Sequence, residues 1–302
     1  MPPATEPFQI MQLHADSPEV IEQLGSKRKF WFRVQGDAQP WLFKYTRENT
    51  GEDWSEKIAA ELAILLRISA ARVELAAFMG KRGCASRSFV ETTKGFELIH
   101  GSEILVGRVH RYEKSKQWGQ SDHCLENIIA AVEQVFPPRL RTRQLRTLAS
   151  FIVFDGLICN TDRHHDNWGL LRILDQKGKT SHSVASTFDH ASSLGRELLE
   201  DRRKRILASP DGIDSYVGKG HGGIYFDKND RRGENPLSLA MKAAEKYPDY
   251  FVHIFRQIAL LNEDEMCAIV YRVPSEWMSE SAKEFCCRML ATTLRKLKEV
   301  QL

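Results

Sequence analysis

Asp162 and Asn167 stand five residues apart in the string Asn160-Thr161-Asp162-Arg163-His164-His165-Asp166-Asn167, and Phe188-Asp189-His190 follows downstream. Phosphoryl transfer needs a carboxylate to orient a hydroxyl and oxygen ligands for the Mg²⁺ ions that neutralise phosphate charge. Asp162 reads as that carboxylate and Asn167 as one of the ligands. A third oxygen must arrive from a separate strand. Residues 168–174 have strand character, and residues 175–180 read as a turn in which Gly178 supplies the positive φ. Residues 183–188 alternate as a second strand. Pairing of the two as a hairpin brings Asn167 beside Asp189, so that both oxygen donors face one metal. Two other readings stay open at this point. The string could be a solvated loop, and His164, His165, His182, His190, Asp162 and Asp189 are all residue types of a zinc hydrolase.

The upstream elements must bring a nucleotide to these groups. Residues 1–25, with Pro2, Pro3 and Pro7, read as a tail leading into a short helix near residues 18–24. Gly25-Ser26-Lys27-Arg28-Lys29 reads as a turn that could cradle phosphates through backbone N–H groups and lysine charge. It feeds a strand at 30–34, and residues 41–45 read as its partner. Lys44 lies on that partner between Phe43 and Tyr45. A strand lysine can hold the α- and β-phosphates when a helix glutamate steadies it. A helix follows, read as capped by Asp53 with Glu56 completing a capping box. Its apolar stripe is Ile58, Leu62, Leu65 and Leu66. Glu56 and Glu61 are the candidates to meet Lys44, and Glu56 is preferred because it lies in the first turn off that stripe.

Strands are expected at 73–78 and 85–90 about a turn at Lys81-Arg82-Gly83, with residues 91–101 as a crossover. Beyond them the pattern is mainly helical. Helices are expected at 125–136 and 144–158, the second delivering the Asp162 loop, with Asp155 late in it as an anchor for that loop. Residues 196–235 read as a polar, glycine-bearing loop, and the remainder as a helical bundle in which Asn262 and Glu265 form a capping box.

With 302 residues, a net charge of +3 and 42% hydrophobic residues, the chain has the composition of a soluble globular protein. The basic clusters 27–29, 139–146 and 202–205 read as solvated faces or phosphate contacts, so direct nucleic-acid binding is not expected. Six scattered cysteines without a C-x-x-C pair read as free thiols of a reducing, cytoplasmic setting. Neither a signal peptide nor a bilayer-spanning run is read.

Gly25, Lys44, Glu56, Asp162, Asn167 and Asp189, in this order, make the chain resemble the HipA-like kinases over about residues 24–300. The resemblance implies a two-lobed, protein-kinase-like α+β fold with a phosphoinositide-kinase-like catalytic loop. It implies a β-rich N-lobe over residues 1–95 and a helical C-lobe over 96–302. It also implies ATP and Mg²⁺ as cofactors and a protein serine or threonine as acceptor. Asp162 would then be the catalytic base, and Asn167 and Asp189 the Mg²⁺ ligands. Lys44 would bind phosphate with Glu56 as its partner, and Gly25, Ser26, Lys27 and Lys29 would form the phosphate loop. Toxin action and an antitoxin-like partner are known in the family and are left open here. Ala191 departs from the glycine of the kinase D-F-G motif, and the N-terminus looks too short for the extra subdomain of full-length toxins. A lipid or small-molecule kinase, or a pseudokinase regulator, remain as alternatives.

Overall fold

The computed structural model describes residues 6–21, 28–175 and 177–302. Its first strands are β1 (Ile10–Leu13) and β2 (Val20–Ile21), followed by β3 (Lys29–Arg33) and β4 (Pro40–Tyr45). β3 and β4 pair antiparallel with Lys29 opposite Lys44 and Phe30 opposite Phe43. Alternation then sends Phe30, Phe32, Trp41 and Phe43 into one apolar cluster. Helix α1 (Glu52–Leu65) crosses to β5 (Val73–Phe78) and β6 (Lys81–Arg87). The six strands form one sheet in the order β1-β5-β6-β4-β3-β2.

Four expectations for this region need correction. Residues 10–13 are a strand, not tail: β1 runs parallel to β5, from Ile10 opposite Leu75 to Leu13 opposite Phe78. The edge of β5 offers backbone groups that must be satisfied, and a segment without strong periodicity can do so. Phe8, just before it, is buried with the Lys57 ammonium 4.7 Å and the Arg272 guanidinium 4.2 Å from its ring. Val20 and Ile21, expected in a helix, instead pair with Trp31 and Phe30.

The β5–β6 turn is Met79-Gly80, both at positive φ (49° and 73°), the geometry of a two-residue hairpin. Gly83 lies inside the strand rather than in the turn. A Cβ there would come within 2.3 Å of the Lys44 carbonyl oxygen, so the glycine serves close approach of backbone. Finally, α1 begins at Glu52 after Gly51, and Asp53 does not cap it. The Asp53 carboxylate takes the Trp54 N–H at 2.8 Å and the Arg82 guanidinium at 3.0 Å. A charged partner competes better for a buried carboxylate than a neutral N–H does.

The chain continues into a 3₁₀ turn at Thr92–Lys94 and β7 (Phe96–His100), where a bare crossover was expected. Then come α2 (Gly101–Val106), α3 (Leu125–Val135) and α4 (Pro138–Ile158). α4 starts six residues before the expected Gln144, because Pro138 suits the first helical position, where its missing N–H costs nothing. β8 (Gly169–Leu174) and β9 (Thr180–Val184) form the expected hairpin, with β7 added to the far edge of β8.

Residues 196–235 are not one long loop. They hold α5 (Glu200–Ala208) and α6 (Gly212–Lys219). In α5, Glu200 and Asp201 in the first turn and Arg205 in the last match the helix dipole. Four helices complete the chain: α7 (Pro236–Lys246), α8 (Pro248–Leu260), α9 (Glu263–Tyr271) and α10 (Glu280–Lys298). Asn262 caps α9, accepting the Asp264 N–H at 2.8 Å.

The chain builds two compact units. The first takes residues up to Phe89, Asp189–Ile213 and Asn262–Leu290, and holds the six-stranded sheet and α1. The second takes Val90–Phe188, Asp214–Leu261 and Ala291–Leu302, and holds the three-stranded sheet and α4. Cys84, Cys124, Cys159, Cys267, Cys286 and Cys287 are free thiols. No helix among the described residues is long and apolar enough to cross a membrane.

Candidate active site

In the first unit, Lys44 projects from β4 on the sheet face it shares with Lys29, its directly opposed residue. Its ammonium lies 3.2 Å from Asp189 Oδ1 and 3.5 Å from Glu56 Oε1. Glu56 comes from the first turns of α1 and is buried, and Lys44 is nearly so. Burial pushes against the Lys44 charge. The Asp189 and Glu56 carboxylates together outweigh it and hold the ammonium above the ordinary lysine range. A strand cation is thus fixed between a helix carboxylate and a loop carboxylate.

α1 also positions the segment after Asp189. Ser55 Oγ donates to the Ser193 carbonyl at 3.0 Å, and the Gly51 N–H to the Arg196 carbonyl at 2.8 Å. The Arg196 guanidinium meets Glu52 Oε1 at 3.0 Å. Asp189 itself sits in the left-handed region at φ 59°, a conformation Asp tolerates better than most residues.

The second unit holds Asp162 and Asn167. α4 ends at Cys159, which turns left-handed at φ 52°. Asn160 Nδ2 then donates to Asp155 Oδ1 at 2.8 Å, and Asn160 Oδ1 accepts the Asp162 N–H at 3.2 Å. Asn167 Nδ2 donates to the Asp162 carbonyl at 2.8 Å, which leaves the Asn167 Oδ1 oxygen as the atom suited to a hard cation. The hairpin register, Leu170 opposite Val184, runs on through the Ala185 N–H to Gly169 carbonyl bond of 3.0 Å.

Arg163 ties these pieces together. Its guanidinium forks onto Asp155 at 2.7 and 2.8 Å, and reaches Thr187 Oγ1 and the Phe188 carbonyl, each at 3.0 Å. It also donates to the Asn167 carbonyl. One buried cation therefore fixes the loop that carries Asp162 and Asn167 and the residues that lead to Asp189. Sequence reading gave Asp155 its anchoring place and no role to Arg163. The signal was there: a carboxylate inside the apolar run of α4 requires a cation, and Arg163 is the first to follow it. Replacing Arg163 by Met should cost about 3–5 kcal/mol of stability, since Asp155 would stay buried without its partner. Denaturant unfolding checks this.

Gly223 closes the same loop from outside. A Cβ there would stand 2.8 Å from the Arg163 carbonyl and the His164 nitrogen. Two histidines, His123 and His165, serve structure. His123 Nδ1 donates to the Gly223 carbonyl at 2.7 Å, and its Nε2 accepts from Trp168 Nε1 at 3.0 Å. Burial drives its pKa down to about 3, so it remains neutral. His165 Nδ1 and the Tyr112 hydroxyl are hydrogen-bonded at 2.7 Å. Among the described residues no three His, Cys, Asp or Glu side chains gather as a zinc ion requires.

Lys44, Glu56 and Asp189 are thus brought together in one unit, and Asp162 and Asn167 in the other. Gly25, Ser26 and Lys27 lie outside the described residues. Lys29 opens β3.

The family model described as the HipA-like C-terminal domain matches residues 21–209. The serine/threonine-protein kinase CtkA of Helicobacter pylori is 25% identical over 249 residues, covering 82% of this chain and 71% of that protein. The crystal structure of the H. pylori proinflammatory kinase CtkA matches at TM-score 0.78 and 19% identity, over 96% of this chain and 98% of that one. That likeness shows a protein-kinase-like fold, an N-terminal β-sheet with its helix and a helical C-terminal part. HipA of the Shewanella oneidensis MR-1 toxin–antitoxin system, solved with HipB and operator DNA, matches at TM-score 0.41 and 13% identity, covering 96% of this chain and 69% of that one. At that distance it carries no argument about partners.

Proposed function

Since the chain belongs to the HipA-like C-terminal domain family, we propose that it is an ATP- and Mg²⁺-dependent kinase that phosphorylates a serine or threonine hydroxyl of a protein. The observation that carries this reading is the Lys44 ammonium between Glu56 and Asp189. A lysine held by a helix carboxylate is the arrangement that meets the α- and β-phosphates of a nucleotide. In this reading Glu56 keeps the ammonium in place, and Asp189 would hold the metal. Asp162 accepts the proton of the attacking hydroxyl, positioned by the Asn160 and Asn167 side chains. The Asn167 amide oxygen and the Asp189 carboxylate are hard donors of the kind Mg²⁺ takes. When bound, Mg²⁺ neutralises the charge of the phosphates. Gly25, Ser26, Lys27 and Lys29 are proposed to receive the phosphates. Toxin action and an antitoxin partner have no support from the geometry.

The test is incubation of the purified protein with γ-labelled ATP, Mg²⁺ and a cell lysate. Label on serine or threonine of protein supports the reading. Label on lipid or a small molecule, or no transfer with nucleotide still bound, overturns it. Glu56→Gln should raise the KM for ATP several-fold with a smaller change in kcat. It keeps a hydrogen-bonding oxygen near Lys44 and removes the charge that centres the ammonium.

Lys44→Ala is a less clean probe than Glu56→Gln. The structure leaves Glu56 buried behind it, so the variant also loses stability unless Glu56 takes up a proton.

A further inference from the structure

We infer that the exposed basic loop between α2 and α3 docks an acidic stretch of the protein substrate beside the acceptor hydroxyl. This rests on the kinase reading above and names the substrate class for the same site. Residues 107–124, between the two helices, hold Arg108, Arg111, Lys114 and Lys116 against Glu113 and Asp122. The loop is tied to the catalytic loop at two points. The buried Tyr112 hydroxyl is hydrogen-bonded to His165 Nδ1 at 2.7 Å, and Gln117 Nε2 donates to Asp166 Oδ2 at 2.9 Å.

Those anchors fall on consecutive residues between Asp162 and Asn167. Arg111 adjoins the first anchor, Lys116 adjoins the second, and Lys114 lies between them. Each is within two chain steps of an anchored residue, about 7 Å of extended backbone. All three are exposed. Among the described residues Arg111 and Lys116 have no carboxylate partner, and Lys114 has only a solvent-exposed contact with Glu103 at 3.6 Å.

The loop also offers an aromatic platform. Trp118 follows Gln117, is 54% exposed and meets the His164 ring edge-on at 6.1 Å. His164 Nε2 is in turn 3.9 Å from Asp162 Oδ1. A large ring held at the surface next to the proposed base is contact area for a bound chain, and the cations around it set that chain's charge. Backbone packing and side-chain anchors fix the loop without using these cations, so they are available to a partner. Charge complementarity then favours Asp or Glu near the acceptor serine or threonine.

The test uses the full-length protein and four fluorescent probes: a serine peptide flanked by Asp and Glu, its Asn/Gln counterpart, a single-stranded RNA of equal charge, and phosphatidylserine vesicles. Anisotropy for the soluble probes and co-sedimentation for the vesicles report binding. Phosphate transfer from ATP to both peptides is measured in parallel. The acidic peptide should bind about tenfold more tightly than the neutral one at low salt, and the difference should shrink as ionic strength rises. Lys114→Glu/Lys116→Glu should abolish or invert that preference. Trp118→Ala should weaken both peptides alike. Circular dichroism and an unchanged unfolding midpoint establish that the variants remain folded. Equal binding of the two peptides, preference for RNA or vesicles, or a preference that survives the double charge reversal would overturn the inference. Acid-selective binding without phosphate transfer would leave the docking surface standing and overturn the kinase reading. Transfer without acid preference would do the reverse.

Discussion

Asp162→Asn should bind Mg·ATP as the wild type does and transfer phosphate about 10²–10⁴-fold more slowly, the usual worth of a positioned acid or base. The substitution is nearly isosteric. The loop bonds of Asp162 to Asn160 and Asn167 run through its backbone N–H and carbonyl, and an Asn side chain leaves them in place. What disappears is the carboxylate that accepts the hydroxyl proton. Nucleotide affinity by titration and transfer by single-turnover kinetics separate the two effects. A variant that transfers phosphate at the wild-type rate would remove Asp162 from the chemistry. A variant that no longer binds ATP would assign it to nucleotide binding instead.

Asp189→Asn should fail at a different step. Mg·ATP affinity should fall by at least about 10–100-fold, because loss of an outer-shell partner of a metal already costs that much and Asp189 is proposed as a direct ligand. Raising Mg²⁺ should recover part of the loss, since the metal is what the variant holds poorly. Asparagine is a cleaner replacement here than alanine. Residue 189 sits at φ 59°, where asparagine is accommodated and alanine is strained. The variant also removes one of the two carboxylates on Lys44, whose pKa should move back toward the ordinary lysine value. Affinity that is unchanged at every Mg²⁺ concentration would take Asp189 out of metal binding.

The two variants test groups of different legibility. The Asp162 loop stood out because its residue types and spacing are those the proposed phosphoryl transfer needs. The β8–β9 hairpin was readable because two runs of similar length flank a turn with Gly178, which the structure holds at φ 76°. Lys44 and Glu56 were harder. Local pattern gave Glu56 to a capping box and left Glu61 as a rival. The structure spends Glu61 on Lys57, at 2.7 Å, and brings Glu56 to Lys44. Helical spacing puts these two glutamates on different sides of α1, and only packing against the sheet says which side faces β4.

Sequence alone determined the strands around Lys44, the hairpin leading to Asp189 and the helix delivering Asp162, and it singled out the residues proposed here for chemistry. All of these depend on neighbours in the chain: period, turn residues and caps. Tertiary structure decided the rest. It made residues 10–13 a strand by offering them the edge of β5, and it made Gly83 a point of close backbone approach that resembles a turn in sequence. It also placed Arg163 against Asp155, Asn167, Thr187 and Phe188. Those partners are distant in sequence. A buried guanidinium finds them by the need to satisfy every donor, a requirement that no local pattern records.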